Sequence, residues 1–182
     1  SISRTTSWSA SRTRNSVLTG DLVVLGIDPG SIVTGYGVVS LAKGRTRPLG
    51  WGSVRTSSKL PLAERLSTIH REIAKQIELY RPDQVAVEDL FQSVNVKSAL
   101  KLGHARGVAI LAAAQAGLPV YEYAPREVKR SVVGIGSASK DQVGAMVGRL
   151  LGISAQSPGE DEADALAVAI CHVHKMSGAL RR

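Results

Sequence analysis

The chain has 182 residues, of which 43% are hydrophobic and 21% charged; that suits one soluble domain with a real core, and no apolar run is long enough to span a membrane. Its formal net charge is +8, with a sequence pI near 10.0, which favours polyanionic partners, nucleic acid ahead of an anionic membrane surface. The single cysteine, Cys171, excludes an internal disulfide and suits a reducing cytosol.

Residues 1–20, SISRTTSWSASRTRNSVLTG, are rich in Ser, Thr and Arg, contain no acid and show no apolar period. This composition matches a transit peptide, a disordered arm or a cloning remnant, so the segment is read as a basic tail outside the fold. The domain is expected over 21–177, with a short C-terminal tail over 178–182.

LVVLGIDPGS opens the domain. Leu22, Val23, Val24, Leu25 and Ile27 predict a strand buried on both faces, and Pro29 and Gly30 stop it. GYGVVS and GWGSVRTS follow as short strands joined by LAKGRTRP, read as a basic turn, so the first three strands form a meander. Apolar residues at Leu62, Leu66, Ile69, Ile73 and Ile77 repeat with helical period. DQVAVED is a fourth strand, KSALKLGHARGVAILAAAQAG a helix with small residues along one side, and LPVYEY a fifth strand. Two or three helices close the chain. The order β-β-β-α-β-α-β-α-α predicts an α/β fold in which an antiparallel meander feeds parallel strands in one mixed sheet.

Two strands end on acid. Asp28 stands at the last rung of the first strand and Glu88 at the end of the fourth. A carboxylate so placed needs a partner, because burying it alone costs several kcal/mol. A side chain, a helix N-terminus or a metal ion would serve. Ligands in open α/β sheets collect at the carboxyl ends of strands, so Asp28 and Glu88 face each other if their strands are neighbours. In SPGEDEADALAVAICHVH, Ser157, Pro158 and Glu160 match N-cap, N1 and N3 of a helix with a capping box, and Glu160 and Glu162 answer its dipole. Asp161 and Asp164 share a helical face and lead into an apolar helix. Four acids from three elements of a basic chain are poorly explained by solvation. Hard divalent cations want several carboxylate oxygens, and paired ions clamp both oxygens of an in-line phosphoryl displacement.

LGIDPGSIVTGYGVV, AVEDLF, SALKLGHARGVAI, VKRSVVGIGSASKDQV and DEADALAVAICHVH resemble the successive motifs of the RuvC family of Holliday-junction resolvases, in the family's order and over nearly all of 22–175. The resemblance implies an RNase H-like mixed five-stranded sheet flanked by helices. It also implies a homodimer that makes paired nicks in four-way junction DNA with Mg²⁺, or Mn²⁺ in its place, at two ions per site. A bacterial cytoplasmic setting and a branch-migration complex of the RuvA and RuvB type go with it. Carried over by position, the catalytic and metal-holding acids are Asp28, Glu88, Asp161 and Asp164. Phe91 takes the place of a base-stacking aromatic, Asn95 lies in the same loop, and Lys129 and Lys140 coincide with basic positions near the scissile phosphate. Arg106, with Lys101 and His104, falls on the helix the family puts near the dimer interface, serving either that interface or DNA.

Two further motifs read structurally. GIGSASK fails the phosphate-loop spacing, whereas Ser139 and Gln142 match a capping box. Cys171, His172 and His174 lack the second pair of a zinc site and read as a helix end carrying basic side chains.

Overall fold

A computed structural model describes residues 21–89, 96–153 and 158–179. Its sheet is built from β1 (Leu22–Asp28), β2 (Val33–Ala42), β3 (Arg45–Arg55), β4 (Gln84–Glu88) and β5 (Val120–Tyr123), in the spatial order β3-β2-β1-β4-β5. β1–β2 and β2–β3 pair antiparallel, while β1–β4 and β4–β5 pair parallel. The meander and the mixed sheet expected from the sequence are both present.

The expected basic turn over LAKGRTRP is mostly strand. Lys43 and Gly44 alone turn the chain, at φ +51 and +73, and Ala42 pairs directly with Arg45. Two consecutive left-handed residues match the twist of the flanking strands, so β2 and β3 stay paired to the tip. Pro48 is tolerated because β3 lies at the sheet edge, beside a register shift at Val38/Val39.

Two core layers follow from the period-2 alternation of the central strands. Leu25, Ile27, Val38, Val85 and Val87 point to one face, under α1 (Leu62–Tyr80) and α2 (Val96–Gln115). Ala105, Ala109, Ala112 and Ala113 are the small side of α2, and they are buried in this layer rather than offered to a partner. Val24, Val39 and Ala86 point to the other face, under α3 (Pro125–Val133), α4 (Lys140–Leu151) and α5 (Glu160–Ala179). Three helices thus close the chain. α3 starts on Pro125 and stops at Gly134, whose φ of +95 ends it. α4 carries the expected capping box: Ser139 Oγ accepts from Gln142 N at 3.3 Å, and Ser139 N donates to Gln142 Oε1 at 2.9 Å.

The start of α5 differs from expectation. Gly159 O accepts the first helical bond, from Ala163 N at 2.9 Å, so Gly159 is the N-cap and Glu160 opens the helix. Ser157 lies outside the described residues. Among the described residues no helix is long and apolar enough to cross a membrane.

Candidate active site

Strand register decides where the acids go. Asp28 pairs with Gly35 and Gly26 with Gly37 across β1 and β2, and Gly26 pairs with Ala86 across β1 and β4. Asp28 therefore shares a face with Gly26, Gly35 and Gly37, and Glu88, two residues past Ala86, points the same way. This is the α5 face.

The glycines let α5 approach. A Cβ on Gly26 would run into the Ala165 carbonyl oxygen and the Ala169 backbone, one on Gly35 into the Asp161 carbonyl, and one on Gly37 into Leu166. The helix backbone thus lies directly on the sheet, with Ala163, Ala165, Leu166, Ala167 and Ala169 buried against it. That seating delivers the N-terminal end of α5, and with it Asp164, to the carboxyl ends of β1 and β4. Three glycines on one face of adjacent strands are the sequence signal of a close backbone neighbour.

Asp28 and Glu88 hydrogen-bond to each other, and Asp164 lies close enough to bear on both. Burial raises the Asp28 carboxyl to about 8, with the charges of Glu88 and then Asp164 adding to the effect and Lys140 opposing it. Burial also raises Glu88; Lys140 and Lys129 pull it the other way. Asp164 is raised by burial, against its bond to Lys140. Lys140 Nζ lies 3.1 Å from Asp164 Oδ2 and 2.5 Å from Glu160 Oε1, and those two contacts raise its own pKa.

The acids expected to meet therefore divide. Asp28, Glu88 and Asp164 gather, with Lys140 and Lys129 beside them. Asp161, one turn earlier on α5, has its carbonyl over Gly35 and adds charge to Asp164. Phe91 and Asn95 lie outside the described residues. Arg106 turns inward: its guanidinium pairs with Asp89 at 3.1 Å and with Glu122, tying α2 to the ends of β4 and β5. Lys101 and His104 stay exposed on α2.

A hydrogen-bonded loop follows Asp28. Thr34 Oγ1 donates to Gly30 O at 2.7 Å, Thr56 Oγ1 to Ser31 O at 3.0 Å, and Arg65 Nη1 to the same carbonyl at 3.2 Å. Thr34 and Arg65 are buried, and together these bonds hold the turn that carries Asp28. None of the three bonds is marked by a local sequence motif. The signal for Arg65 was its position four residues before Ile69, on the buried phase of α1.

His172 corrects the helix-end reading. It lies mid-helix and fully buried, between Tyr123 Oη at 2.7 Å and Gln84 Oε1 at 2.5 Å, with the Tyr121 ring 4.5 Å away. Burial depresses its pKa to about 4, so it is a neutral core group.

Does this donor set suit a divalent cation? Its donors are all carboxylate oxygens, the choice of hard cations. Burial, ahead of the neighbouring charges of Glu88 and Asp164, keeps the Asp28 carboxyl raised despite Lys140. Among the described residues, no three His, Cys, Asp or Glu side chains close into a ligand set; Asp164 is held by Lys140. In chemistry, the carboxylates of Asp28, Glu88 and Asp164 fit such an ion.

A family model described as crossover junction endodeoxyribonuclease RuvC matches residues 24–172. Proteins so named from Acidobacterium capsulatum and Alkaliphilus oremlandii are 52% and 48% identical, over 83% and 84% of this chain and 92% and 93% of theirs. Among solved structures, Thermus thermophilus RuvC in complex with Holliday junction substrate aligns with a TM-score of 0.80 at 39% identity, over 87% of this chain and 96% of that one. The yeast mitochondrial Holliday junction resolvase Ydc2, at 14% identity and a TM-score of 0.61, shares the fold, covering 87% of this chain and 80% of its own.

Proposed function

The chain belongs to the RuvC family of crossover junction endodeoxyribonucleases, and on that premise we propose that it resolves Holliday junctions by paired symmetric nicks. The products carry 5′-phosphate and 3′-hydroxyl ends, and the setting is recombination and repair in a bacterial cytoplasm. One observation carries this reading: Asp28, raised to about 8, faces Glu88 and Asp164 at the carboxyl ends of two parallel strands in a basic chain.

Asp28, Glu88 and Asp164 would hold the divalent cation, with Asp161 the fourth acid; the ion would be Mg²⁺, or Mn²⁺ in its place, at two per site. The chemistry such ions supply when bound is a lowered pKa for the attacking water and neutralised charge at the reacting phosphate and its leaving oxygen. The chain's own part is placement. The glycine seat fixes α5 against β1, and the Thr34–Arg65–Thr56 bonds fix the turn after Asp28. Lys140 exchanges its carboxylate partners for a substrate phosphate, and Lys129 adds positive charge beside Glu88. Phe91 and Asn95 meet splayed bases. Arg106, paired to Asp89 and Glu122, holds the end of β4 and adds basic charge near the DNA.

A homodimer is supported by the outer face of α2, where Val96, Leu100 and Leu111 are 75%, 59% and 47% exposed at helical spacing. Two sites related by a two-fold axis match the symmetry of a four-way junction. A branch-migration complex of the RuvA and RuvB type is the expected partner. The test is a gel assay on a four-way junction, a linear duplex and an RNA hairpin, with and without Mg²⁺. Nicking confined to the junction with metal supports the reading, and preference for RNA overturns it.

A further inference from the structure

The end of the sheet opposite Asp28 carries a second charged feature. β1 begins there, with Leu22 opposite Leu41, and β2 and β3 run one residue further, to the pair Ala42 and Arg45, before the turn at Lys43 and Gly44. Arg45 and Arg47 are both exposed and alternate with half-buried Thr46 and Pro48, so they extend from one face of β3 at a pitch of about 6.6 Å. They pair with Ala42 and Ser40, small residues that leave the two guanidinium groups unobstructed.

The helix layer does not reach them. Tyr80, the last residue of α1, packs over Gly50, and the strand continues beyond it to the tip. Ala42, Lys43, Arg45 and Arg47 line a concavity of about 500 Å³ at this end. Among the described residues, no acid forms an ion pair with Lys43, Arg45 or Arg47, although Asp21 sits at the start of β1 nearby. The chain's other basic stretch, with Arg4, Arg12 and Arg14 and no acid, joins the fold at this same end.

We propose that the β2–β3 hairpin is a second, sequence-independent site for the phosphate backbone of duplex DNA, remote from the cleavage site. Cations at this spacing, on the exposed edge strand of the sheet, can follow successive phosphates of one strand. The hairpin thereby holds a flanking arm or a neighbouring duplex while the opposite end of the sheet engages the crossover. It reads no bases, because its contacts are ionic and its side chains face the backbone. This inference rests on the function proposed above.

The test compares the full chain with Arg45→Ser/Arg47→Ser and with Arg45→Lys/Arg47→Lys, by fluorescence anisotropy on a linear duplex without divalent metal, across a salt series. Two lost phosphate contacts reduce the slope of log affinity against log salt by about 2, and affinity at moderate salt falls on the order of tenfold. The lysine variant keeps most of both, because its charges remain. Circular dichroism and melting temperature confirm that each variant folds. An unchanged slope and affinity in the folded serine variant overturns the proposal and leaves the hairpin as a surface for an acidic protein. The wild-type junction assay is read separately: if the wild type nicks no junction with Mg²⁺, the proposed function fails, whatever the duplex slope shows.

Discussion

Asp28→Asn separates a functional carboxylate from a structural one. The folded Asp28 pKa, about 8 against the ordinary 3.8, lies above its unfolded value. The folded state therefore holds the proton over a range where the unfolded state has released it, and stability falls as pH rises from about 4 to about 8. At pH 7 the full shift corresponds to about 4 kcal/mol. Asp28 is half-buried rather than sealed, and solvent screening leaves about 2 kcal/mol of that. Asparagine keeps the volume and can donate to Glu88 while removing the charge. Without divalent metal, Asp28→Asn should therefore raise the melting temperature at pH 8 by about 4–8 °C and by clearly less at pH 5. Mg²⁺ should stabilise the wild type and hardly affect the variant. Single-turnover nicking should drop by several orders of magnitude, while metal-free junction binding holds or tightens because one repelling charge is gone. Calorimetry in chelator at both pH values, with single-turnover cleavage on the same preparation, measures all of this. A variant that is less stable at pH 8 and still cuts would refute the reasoning, making Asp28 a turn former.

Lys140→Ala should slow single-turnover nicking on the order of a hundredfold with a much smaller effect on junction affinity; equal rates would make Lys140 a solvated lysine that merely pairs with Glu160. Gly26→Ala should destabilise the fold by about 3 kcal/mol or more in urea unfolding, because its methyl would meet the backbone of α5; a loss under 0.5 kcal/mol would mean the helix is not seated there. The His172 ring, depressed to about 4, should show no NMR titration between pH 8 and pH 5. This group loses stability as pH falls from about 6.5 towards 4, because only the unfolded chain takes up the proton there, and a ring midpoint near 6.5 would contradict its burial.

The sheet and the acids were legible because each rests on local pattern. β1 and β4 are short runs of buried apolar residues, and an acid at the end of each is visible without tertiary information. The Ser139–Gln142 box is likewise a signal within four residues. What the sequence left hidden depends on what faces what. Gly26, Gly35 and Gly37 pass as ordinary strand residues until the register aligns them under α5. The burial of Arg65 beneath the Asp28 turn depends on how α1 is phased against the sheet. His172 reads as a basic helix end, because Tyr123 and Gln84, which hold it neutral, come from two separate strands. The hairpin turn was overestimated because its basic residues resemble loop, whereas cross-strand pairing continues to Ala42 and Arg45.

The central claim is that the carboxylates gathered at Asp28 cut four-way junctions with divalent metal. A single-turnover time course tests it most directly, on a labelled junction and on a linear duplex of the same sequence, in Mg²⁺ and in excess chelator. The account predicts paired nicks in opposed strands of the junction, in Mg²⁺ alone, with the duplex intact. Equal cutting of the duplex, or undiminished nicking in chelator, would contradict it.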